Sequence, residues 1–378
     1  MRIGFDGKRA VQNYTGLGNY SRYIAEILCR FYPDNRYLLY APKKRDNKRL
    51  EKLTEQFRQL SIIYPKGTFW KKLSSIWRIK GITRQLEEEK IDLFHGLSNE
   101  LPLNIHKSPI KSIVTIHDLI FLRFPQYYHF IDRKIYTYKF RKACENADRI
   151  IAISECTKRD IMDYFRIPAS KIEVVYQGCD PIFEQTVSEE IKKEIRNKYR
   201  LPARFILNVG SIEDRKNSLL AVQALLQLSE DIHLVIVGKR TPYTKKIEQF
   251  VNDHHLTKRV HIFNNIPFND LPVFYQCAEI FTYPSYFEGF GIPIIEALYS
   301  GTPVVAAKGS CLEEAGGPDS LYINPDSVEE IGVAFNRILN DNSLRQKMVE
   351  NGKQFVKRFS DQEQAKLIMN IYEKTCKL

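Results

Sequence analysis

The chain has 378 residues, of which 43% are apolar and 27% charged, a balance that excludes a disordered or fibrous protein and allows two α/β domains. No run approaches the roughly 18 consecutive apolar residues that a membrane-spanning helix needs. The net charge of +12 is uneven, since residues 1–180 hold 33 Lys and Arg against 20 Asp and Glu. A basic first half predicts a polyanionic neighbour, but charge alone does not choose between nucleic acid, an anionic membrane and a phosphate-bearing acceptor.

Short apolar segments alternate with helical patterns along the first half, which is typical of β-α-β units and a parallel sheet. Strands are predicted at residues 2–5, 37–40, 91–95, 112–116, 149–153 and 172–176, and helices at about 20–31 and 130–147. The segment Gly178-Cys179-Asp180-Pro181 interrupts the pattern, and a charged helix over 188–199 follows it.

The second half repeats the scheme, with strands predicted at 205–209, 234–237, 261–263, 280–283 and 304–306. Capping-box patterns predict helices that open at Ser327, Ser343 and Ser360. The last helix presents an apolar stripe formed by Ala365, Ile368, Met369, Tyr372 and Cys376, which must pack against another part of the protein. Two Rossmann-like halves, joined near 178–200, predict an α/β protein with a ligand cleft between the carboxyl edges of its sheets.

The start of the chain and the cysteines indicate a cellular compartment. Met1 runs directly into a predicted strand and leaves no room for a signal peptide, so a cytoplasmic protein is expected. Seven widely spaced cysteines without a C-x-x-C pair argue against both a disulfide framework and a zinc site.

The segment 283–305 is predicted to form a strand, a glycine-rich loop, a helix and another strand. Gly289 and Gly291 let backbone N–H groups approach a ligand closely, and Pro293 fits the first turn of the helix. Exposed N–H groups at a helix N-terminus form an anion site suited to a diphosphate.

Two carboxylates with the spacing E-x₇-E belong to this segment, Glu288 in the loop and Glu296 in the first predicted helical turn. A carboxylate repels a diphosphate unless it faces another part of the ligand. Glu288 is therefore better placed for donor-sugar hydroxyls, and Glu296 for ribose hydroxyls. The alternative for Glu296 is that it complements the helix dipole.

Arg215 and Lys216 are predicted on a loop at the carboxyl edge of a strand that ends at Gly210. Two adjacent cations neutralise a diphosphate and the charge that grows on it as a glycosidic bond breaks. The alternative is that the two cations form a solvated surface pair. Their position at the ligand-binding edge of the sheet favours a diphosphate site instead. The chain contains no D-x-D sequence, so no metal or other cofactor is expected, and the cations and the helix N-terminus would bind the diphosphate instead.

Two further candidates lie in the first half. Gly16 and Gly18 follow the first strand and permit close backbone approach, although a structural turn explains them equally well. Their spacing is not G-x-G-x-x-G, because Ser21 occupies the third position after Gly18, so a dinucleotide dehydrogenase loses support. His117, beside Asp118 at the end of a strand, is expected to contact the donor sugar, with a structural histidine as the alternative.

Five segments in this order resemble glycosyltransferase family 4, the retaining enzymes of the GT-B fold, over nearly the whole chain. They are Gly16-Leu17-Gly18, His117-Asp118-Leu119, 147–154, 210–217 and 288–296. The GT-B fold implies two Rossmann-like domains that face each other across a cleft. By this resemblance residues 1–182 bind the acceptor, residues 183–359 bind the nucleotide-sugar, and residues 360–378 cross back onto the first domain.

The resemblance also assigns roles to the candidate residues. Arg215 and Lys216 would bind the donor diphosphate, Glu288 the donor sugar and Glu296 the ribose. Gly16 and Gly18 would lie under the phosphates, and His117 would hydrogen-bond the sugar. The remaining donor-binding positions are Gly210, Gly289, Phe290 and Gly291. Some members carry an Arg directly after the first glycine of the Gly210 motif, where this chain has Ser211, so phosphate binding rests more heavily on Arg215 and Lys216.

The implied reaction is departure of a nucleoside diphosphate with same-face attack by an acceptor hydroxyl, which the leaving phosphate deprotonates. Glu288 is not assigned as a covalent nucleophile, because its loop position suggests hydroxyl recognition. The His-Asp-Leu motif is similar to bacterial mannosyltransferases of surface polysaccharides, so GDP-mannose is the first donor expected and a UDP-sugar the alternative.

The basic first half fits an acceptor saccharide on an anionic lipid at the inner face of the membrane. The stretch 69–80 mixes cations with Trp70 and Trp77, a composition that suits such a surface but does not by itself favour it over a packed helix. The alternative is an ordinary helix with Trp77 in the core.

Other classes of protein fit less well. An oxidoreductase or epimerase lacks its dinucleotide fingerprint. A nucleic-acid-binding protein would use the basic half, but no recognition motif is present and the Glu288 loop would go unexplained. A basic binding protein with a degenerate sugar-nucleotide site is disfavoured because Arg215, Lys216, Glu288 and Glu296 are all present.

Overall fold

The computed structural model describes residues 1–377 and divides into two compact units. The N-terminal unit comprises Met1–Gln177 with Asp361–Leu378, and the C-terminal unit comprises Gly178–Ser360. The first boundary thus lies five residues before the predicted domain end at 182. The reason is Phe183, whose buried ring packs edge-on against Phe268 and Tyr275 at 5.7 and 5.6 Å and so ties this stretch to the C-terminal unit.

The N-terminal unit is built on a seven-stranded parallel sheet with the order β3-β2-β1-β4-β5-β6-β7. Its strands are β1 (Arg2–Asp6), β2 (Arg36–Tyr40), β3 (Leu60–Ile63), β4 (Leu93–Gly96), β5 (Lys111–Ile116), β6 (Arg149–Ala152) and β7 (Ile172–Val174). Its first nine helices are α1 (Lys8–Gln12), α2 (Gly16–Phe31), α3 (Lys48–Gln56), α4 (Gly67–Lys72), α5 (Ser74–Ile76), α6 (Ile82–Glu88), α7 (Ile120–Arg123), α8 (Phe130–Asn146) and α9 (Glu155–Phe165).

Helices cover both faces of this sheet, so its strands are apolar on both sides. Successive side chains of a strand point to opposite faces, and β2 shows this directly. Tyr37 and Leu39 pack into the core that contains α2, whereas Leu38 and Tyr40 pack into the core that contains α6 and α8.

The C-terminal unit has a six-stranded parallel sheet with the order β10-β9-β8-β11-β12-β13. Its strands are β8 (Arg204–Val209), β9 (Ile232–Val237), β10 (Val260–Phe263), β11 (Ile280–Tyr283), β12 (Val304–Ala307) and β13 (Leu321–Ile323). Its helices are α10 (Glu189–Tyr199), α11 (Ser218–Ala224), α12 (Thr244–Asp253), α13 (Leu271–Cys277), α14 (Ile292–Tyr299), α15 (Leu312–Gly316), α16 (Val328–Asn340) and α17 (Asn342–Phe355).

The last helix, α18 (Asp361–Cys376), belongs to the N-terminal unit, where its apolar stripe is buried. Four stripe residues, Ala365, Ile368, Met369 and Tyr372, are at most 1% exposed and share a core with α2. The Tyr372 hydroxyl also lies 2.6 Å from Nδ1 of the buried His95 on β4. The helix is therefore fixed by both apolar packing and a buried hydrogen bond.

Three sequence-based expectations differ from the structure. Strands β3 and β13 were not predicted, because each is a short edge strand of three or four residues without a strong apolar run. The helix expected to open at Ser343 begins at Asn342, because the Asp341 carboxylate accepts a hydrogen bond from the Leu344 N–H and caps it. The stretch 69–80 is not one helix but α4, α5 and a π-helical turn (Trp77–Gly81), with the Trp77 ring in the core.

No helix within residues 1–377 has both the length and the apolar character needed to cross a membrane.

Candidate active site

The predicted donor motifs meet at the carboxyl edge of the second sheet. The strand order reverses between the neighbours β8 and β11, and ligands in open α/β sheets bind at such a switch point. The loop after β8 carries Arg215 and Lys216, and the loop after β11 carries Glu288. A backbone hydrogen bond of 2.9 Å from Tyr286 N to Arg215 O joins the two loops.

Glu288 lies at the centre of this arrangement. Its Oε2 is 2.8 Å from Arg215 Nη1, and its Oε1 is 3.6 Å from Lys216 Nζ. The Tyr283 and Ser285 hydroxyls donate to Oε1 at 3.0 and 3.1 Å. Lys216 Nζ also donates to the Tyr283 hydroxyl at 3.0 Å, so lysine, tyrosine and glutamate form a hydrogen-bonded relay.

Burial and charge act in opposite directions on these groups. Burial alone raises the pKa of Glu288, but the neighbouring Lys216 and Arg215 hold it below its usual range. Burial likewise lowers the pKa values of the two cations, and Glu288 more than reverses this, so both end above their usual range. The pKa of Tyr283 is raised to about 12, mainly by burial. At neutral pH the cluster therefore carries two positive charges and one negative charge.

The ion pairs of Glu288 with Arg215 and Lys216 were not predicted from the sequence, which indicated only that Glu288 faces sugar hydroxyls and that the cations face phosphate. In the structure the carboxylate neutralises part of the charge of both cations. A diphosphate that binds Arg215 and Lys216 therefore competes with Glu288 for them. Tyr283 and Ser285, which hold the carboxylate in place, were not identified from sequence. Tyr283 is the last residue of β11, and Ser285 lies in the same loop as Glu288.

Gly210 lets Lys216 lie close to the backbone. Its φ is +148°, and a Cβ there would lie 3.0 Å from Lys216 Nζ. Gly238, at the end of β9, allows an even closer approach, since its Cβ would lie 1.7 Å from the Gly210 carbonyl oxygen. Gly238 was not identified from sequence, where its one signal is its position directly after a predicted strand.

Helix α14 begins after Gly291, which has a φ of +158°, and it carries Pro293 in its first turn as expected. Glu296 lies one turn further along than predicted, because the helix starts at Ile292. Its Oε2 accepts a 2.7 Å hydrogen bond from the buried Tyr275 hydroxyl. Burial raises the pKa of Glu296 to about 7. The macrodipole effect fades within the first turn, which weakens the helix-dipole explanation for this carboxylate.

Phe290 and Gly289 complete the loop between β11 and α14. The Phe290 ring is buried and packs edge-on against Phe359 at 5.4 Å. The Phe290 carbonyl accepts from Cys311 Sγ at 2.7 Å. The Phe290 side chain therefore anchors the loop in the core, and only the backbone of this residue is left to contact a ligand.

His117 is a buried residue of the N-terminal unit with both ring nitrogens engaged. Nε2 lies 2.9 Å from the Leu97 carbonyl, and Nδ1 lies 3.2 Å from Gln177 Nε2. Its ring meets that of Tyr20 edge-on at 4.6 Å. Burial lowers the pKa of His117 to about 4, so the ring is neutral at physiological pH, with Nε2 donating and Nδ1 accepting. A donor-sugar contact through this ring requires one of the two hydrogen bonds to break.

The two glycines at the start of α2 differ in their surroundings. A Cβ on Gly18 would lie 1.9 Å from the Asn13 carbonyl oxygen, so this glycine is required by the chain's own turn. A Cβ on Gly16 would meet nothing within 4 Å, which leaves the first turn of α2 open to a ligand. Among residues 1–377 no group of three His, Cys, Asp or Glu side chains is placed to hold a metal ion, and metal independence stays a prediction.

Two family models match successive parts of the chain. The model described as Glycosyltransferase Family 4 matches residues 15–183, and the model described as Glycosyl transferases group 1 matches residues 191–355. The boundary between the two matches lies close to the boundary between the two compact units.

Similar curated proteins include mannosyltransferases of O-antigen synthesis. O-antigen chain mannosyltransferase B of Escherichia coli is 28% identical over 294 residues, which is 76% of each chain. O-antigen chain mannosyltransferase RfbU of Salmonella typhimurium is 28% identical over 223 residues, or 58% of this chain and 59% of that protein.

Solved structures with the same fold cover the whole chain. A glycosyltransferase from Rickettsia africae has a TM-score of 0.79 at 18% identity, over 100% of this chain and 98% of that one. Anabaena HepE, solved in complex with UDP, has a TM-score of 0.77 at 18% identity over 100% of both chains. At this level of identity the likeness shows the fold, two Rossmann-like domains of the GT-B class.

Proposed function

The chain belongs to glycosyltransferase family 4, and on that premise we propose that it transfers a hexose from a nucleoside-diphosphate sugar to an acceptor hydroxyl with retention of configuration. The observation that carries the proposal is the cluster of Arg215, Lys216 and Glu288 at the β8–β11 switch point. Glu288 pairs with both largely buried cations, and Arg215 also lies 3.8 Å from the half-exposed Glu213. Two adjacent cations at such a switch point suit a diphosphate.

In the proposed reaction the donor diphosphate displaces Glu288 from Arg215 and Lys216, which neutralise its charge. The bond between the sugar C1 and the diphosphate oxygen breaks, and the acceptor oxygen bonds to C1 on the same face. The acceptor proton passes to the leaving diphosphate. Glu288, released from the cations, accepts hydrogen bonds from donor-sugar hydroxyls, and Glu296 accepts them from the ribose. No metal or other cofactor takes part in this scheme.

GDP-mannose is the donor we propose first, because the similar proteins from Escherichia coli and Salmonella typhimurium are named mannosyltransferases. A UDP-sugar is the second candidate, since Anabaena HepE was solved with UDP-glucose. The two donors differ in base and sugar, and the diphosphate site described above serves either.

The acceptor we propose is a saccharide carried on a lipid at the cytoplasmic face of the membrane. The N-terminal unit holds 36 Lys and Arg against 22 Asp and Glu, a net charge of +14. It also exposes large apolar side chains beside cations, among them Phe69, Ile76, Phe130 and Ile131. Exposed apolar groups with neighbouring cations favour an anionic lipid surface. Loss of vesicle binding in Phe130→Ser/Ile131→Ser, measured by flotation with phosphatidylglycerol, would support this placement, and unchanged flotation would contradict it.

The reaction is tested by nucleoside-diphosphate release from a panel of GDP- and UDP-sugars in EDTA, with and without a lipid-linked acceptor. We expect release from one donor and its loss in Arg215→Ala/Lys216→Ala. The matched control is Lys198→Ala/Arg204→Ala, which removes the same two residue types from exposed ion pairs in the same unit and should retain activity.

Absence of both release and binding for every donor would overturn the transferase proposal. It would favour the alternative from another class, a basic binding protein with a degenerate sugar-nucleotide site.

A further inference from the structure

The loop between β11 and α14 lies against the segment that follows β12. The two strands are neighbours in the sheet, so the loops at their carboxyl ends lie side by side. Cys311, in the segment after β12, directly precedes helix α15. It is fully buried, and its Sγ lies 3.0 Å from the Glu288 carbonyl oxygen and 2.7 Å from the Phe290 carbonyl oxygen. The proposed reaction assigns no role to this thiol.

The contacts of Cys311 are those of a hydrogen-bond donor. A buried cysteine usually behaves as a small apolar residue, as Cys144 does in the core of the N-terminal unit. A thiol also has one S–H donor, and a proton shared between two acceptors forms a three-centre hydrogen bond. The two carbonyl groups that share the Cys311 proton lie on either side of Gly289. Cys311 therefore holds the peptide groups 288–289 and 290–291.

The direction of these two carbonyl groups fixes the direction of two N–H groups. In a trans peptide unit the C=O and the following N–H are antiparallel, and residues 1–377 contain no cis peptide bond. Because the carbonyl oxygens of Glu288 and Phe290 face Cys311, the N–H groups of Gly289 and Gly291 point away from it. Gly291 is also the N-cap of α14, and the first N–H groups of a helix have no partner within the helix. N–H groups that point to one side of a helix N-terminus suit an anion.

Reversal of either peptide group would change the charge that a ligand meets. The C=O and the N–H would exchange places, so a carbonyl oxygen would face the diphosphate where a donor is needed. Glycine adopts many backbone conformations, so Gly289 and Gly291 permit the wrong orientation as readily as the right one. Helix α15 is packed tightly enough to resist such a change, since a Cβ on Gly291 would lie 3.1 Å from the Ala315 Cβ.

We propose that Cys311 is a positioning residue of the donor site, whose thiol directs the N–H groups of Gly289 and Gly291 at the donor diphosphate. The inference rests on the proposed function and adds to it a residue that touches neither donor nor acceptor. Arg215 acts on the same loop, because its Nη1 contacts the Phe287 carbonyl oxygen. Side chains from two neighbouring loops thus hold the carbonyl groups of this loop in place.

The first test measures the binding of GDP and UDP to wild type, Cys311→Ala and Cys311→Ser by titration calorimetry. We expect Cys311→Ala to weaken binding about fivefold or more, because two carbonyl groups lose their donor. Cys311→Ser should stay within about twofold of wild type, because a hydroxyl also donates. If Cys311 only filled space, serine would be no better than alanine, since it would bury a hydroxyl without a partner. The matched control is Cys144→Ala, which removes another fully buried thiol and should leave nucleotide binding unchanged.

The steady-state rates should show the same pattern with the donor identified by nucleoside-diphosphate release. Cys311→Ala should raise the donor KM and leave the acceptor KM unchanged. Equal nucleotide binding by wild type and Cys311→Ala, or equal weakening in Cys311→Ala and Cys311→Ser, would overturn the proposal. Absence of nucleotide binding to wild type would instead refute the proposed function, on which the inference rests.

Infrared spectroscopy tests the hydrogen bond without any nucleotide. The S–H stretching band of Cys311 is isolated as the difference between wild type and Cys311→Ala, and that of Cys144 as the difference between wild type and Cys144→Ala. Donation to a carbonyl weakens the S–H bond, so we expect the Cys311 band at a lower frequency than the band of Cys144 in its apolar core. A Cys311 band at the same or a higher frequency would overturn the proposal.

Discussion

Replacing Glu288 by Gln tests the ionic cluster directly, because the shape is kept and the negative charge is lost. Arg215 and Lys216 are then left buried without their shared counter-ion. Breaking a buried pair in this way costs about 3–5 kcal/mol. In a domain the size of the C-terminal unit, each 1 kcal/mol lowers Tm by about 2–4 °C, so we expect a fall on the order of 10 °C.

A nucleoside diphosphate should reverse most of this loss, since its charge replaces that of the carboxylate. Differential scanning calorimetry with and without GDP or UDP would then show a larger ligand-induced rise in Tm for Glu288→Gln than for wild type. Glu248→Gln is the control, because it breaks an exposed pair with Arg240 that contributes about 0–1 kcal/mol. Equal stabilisation of Glu288→Gln and wild type by the nucleotide would refute competition between carboxylate and diphosphate for the two cations.

Three further predictions concern single groups. Gly210→Ala places a side chain at a φ of +148° and 3.0 Å from Lys216 Nζ, so we expect a loss of about 1–3 kcal/mol in urea unfolding and weaker nucleotide binding by calorimetry. The pKa of Glu296 is about 7 in the folded state, above its value in the unfolded chain. Between about pH 4.5 and 7 the folded state therefore binds more protons than the unfolded state, and the free energy of unfolding falls as the pH rises through this range. That fall is about 3 kcal/mol at most, and Glu296→Gln should flatten the dependence of Tm on pH; an unchanged slope would contradict the assignment. Tyr372→Phe removes the hydrogen-bond partner of Nδ1 in the buried His95 ring and should cost about 1–3 kcal/mol. A change below about 0.5 kcal/mol in the same unfolding assay would show that this hydrogen bond is unimportant.

The fold could be predicted from sequence because buried parallel strands leave continuous apolar runs, as at Val304–Ala307. A helix cap could also be predicted where a single side chain determines it. At Ser327 the hydroxyl accepts a hydrogen bond from the Glu330 N–H. The prediction failed at Ser343, where Asp341 competes for the same role. Short edge strands such as β3 lack a comparable signal, because only one of their sides is paired.

The site was only partly accessible to sequence reasoning. Arg215 and Lys216 could be placed on the correct loop, but their pairing with Glu288 joins residues more than 70 positions apart and depends on β8 and β11 being neighbours. Strand order is not encoded in local spacing, so the contact could not be derived. The same holds for Tyr275, whose hydroxyl reaches Glu296 from another helix.

The return of α18 to the N-terminal unit has a consequence for synthesis of the chain. Residues 1–177 are synthesised before α18, so the core that they share with this helix lacks Ile368, Met369 and Tyr372 until α18 has been made. The C-terminal unit is contiguous and can complete its own core earlier. Domains generally fold in the order of their synthesis. Here we expect the N-terminal unit to finish folding after the C-terminal unit, with the α2 side of its core exposed until α18 packs against it.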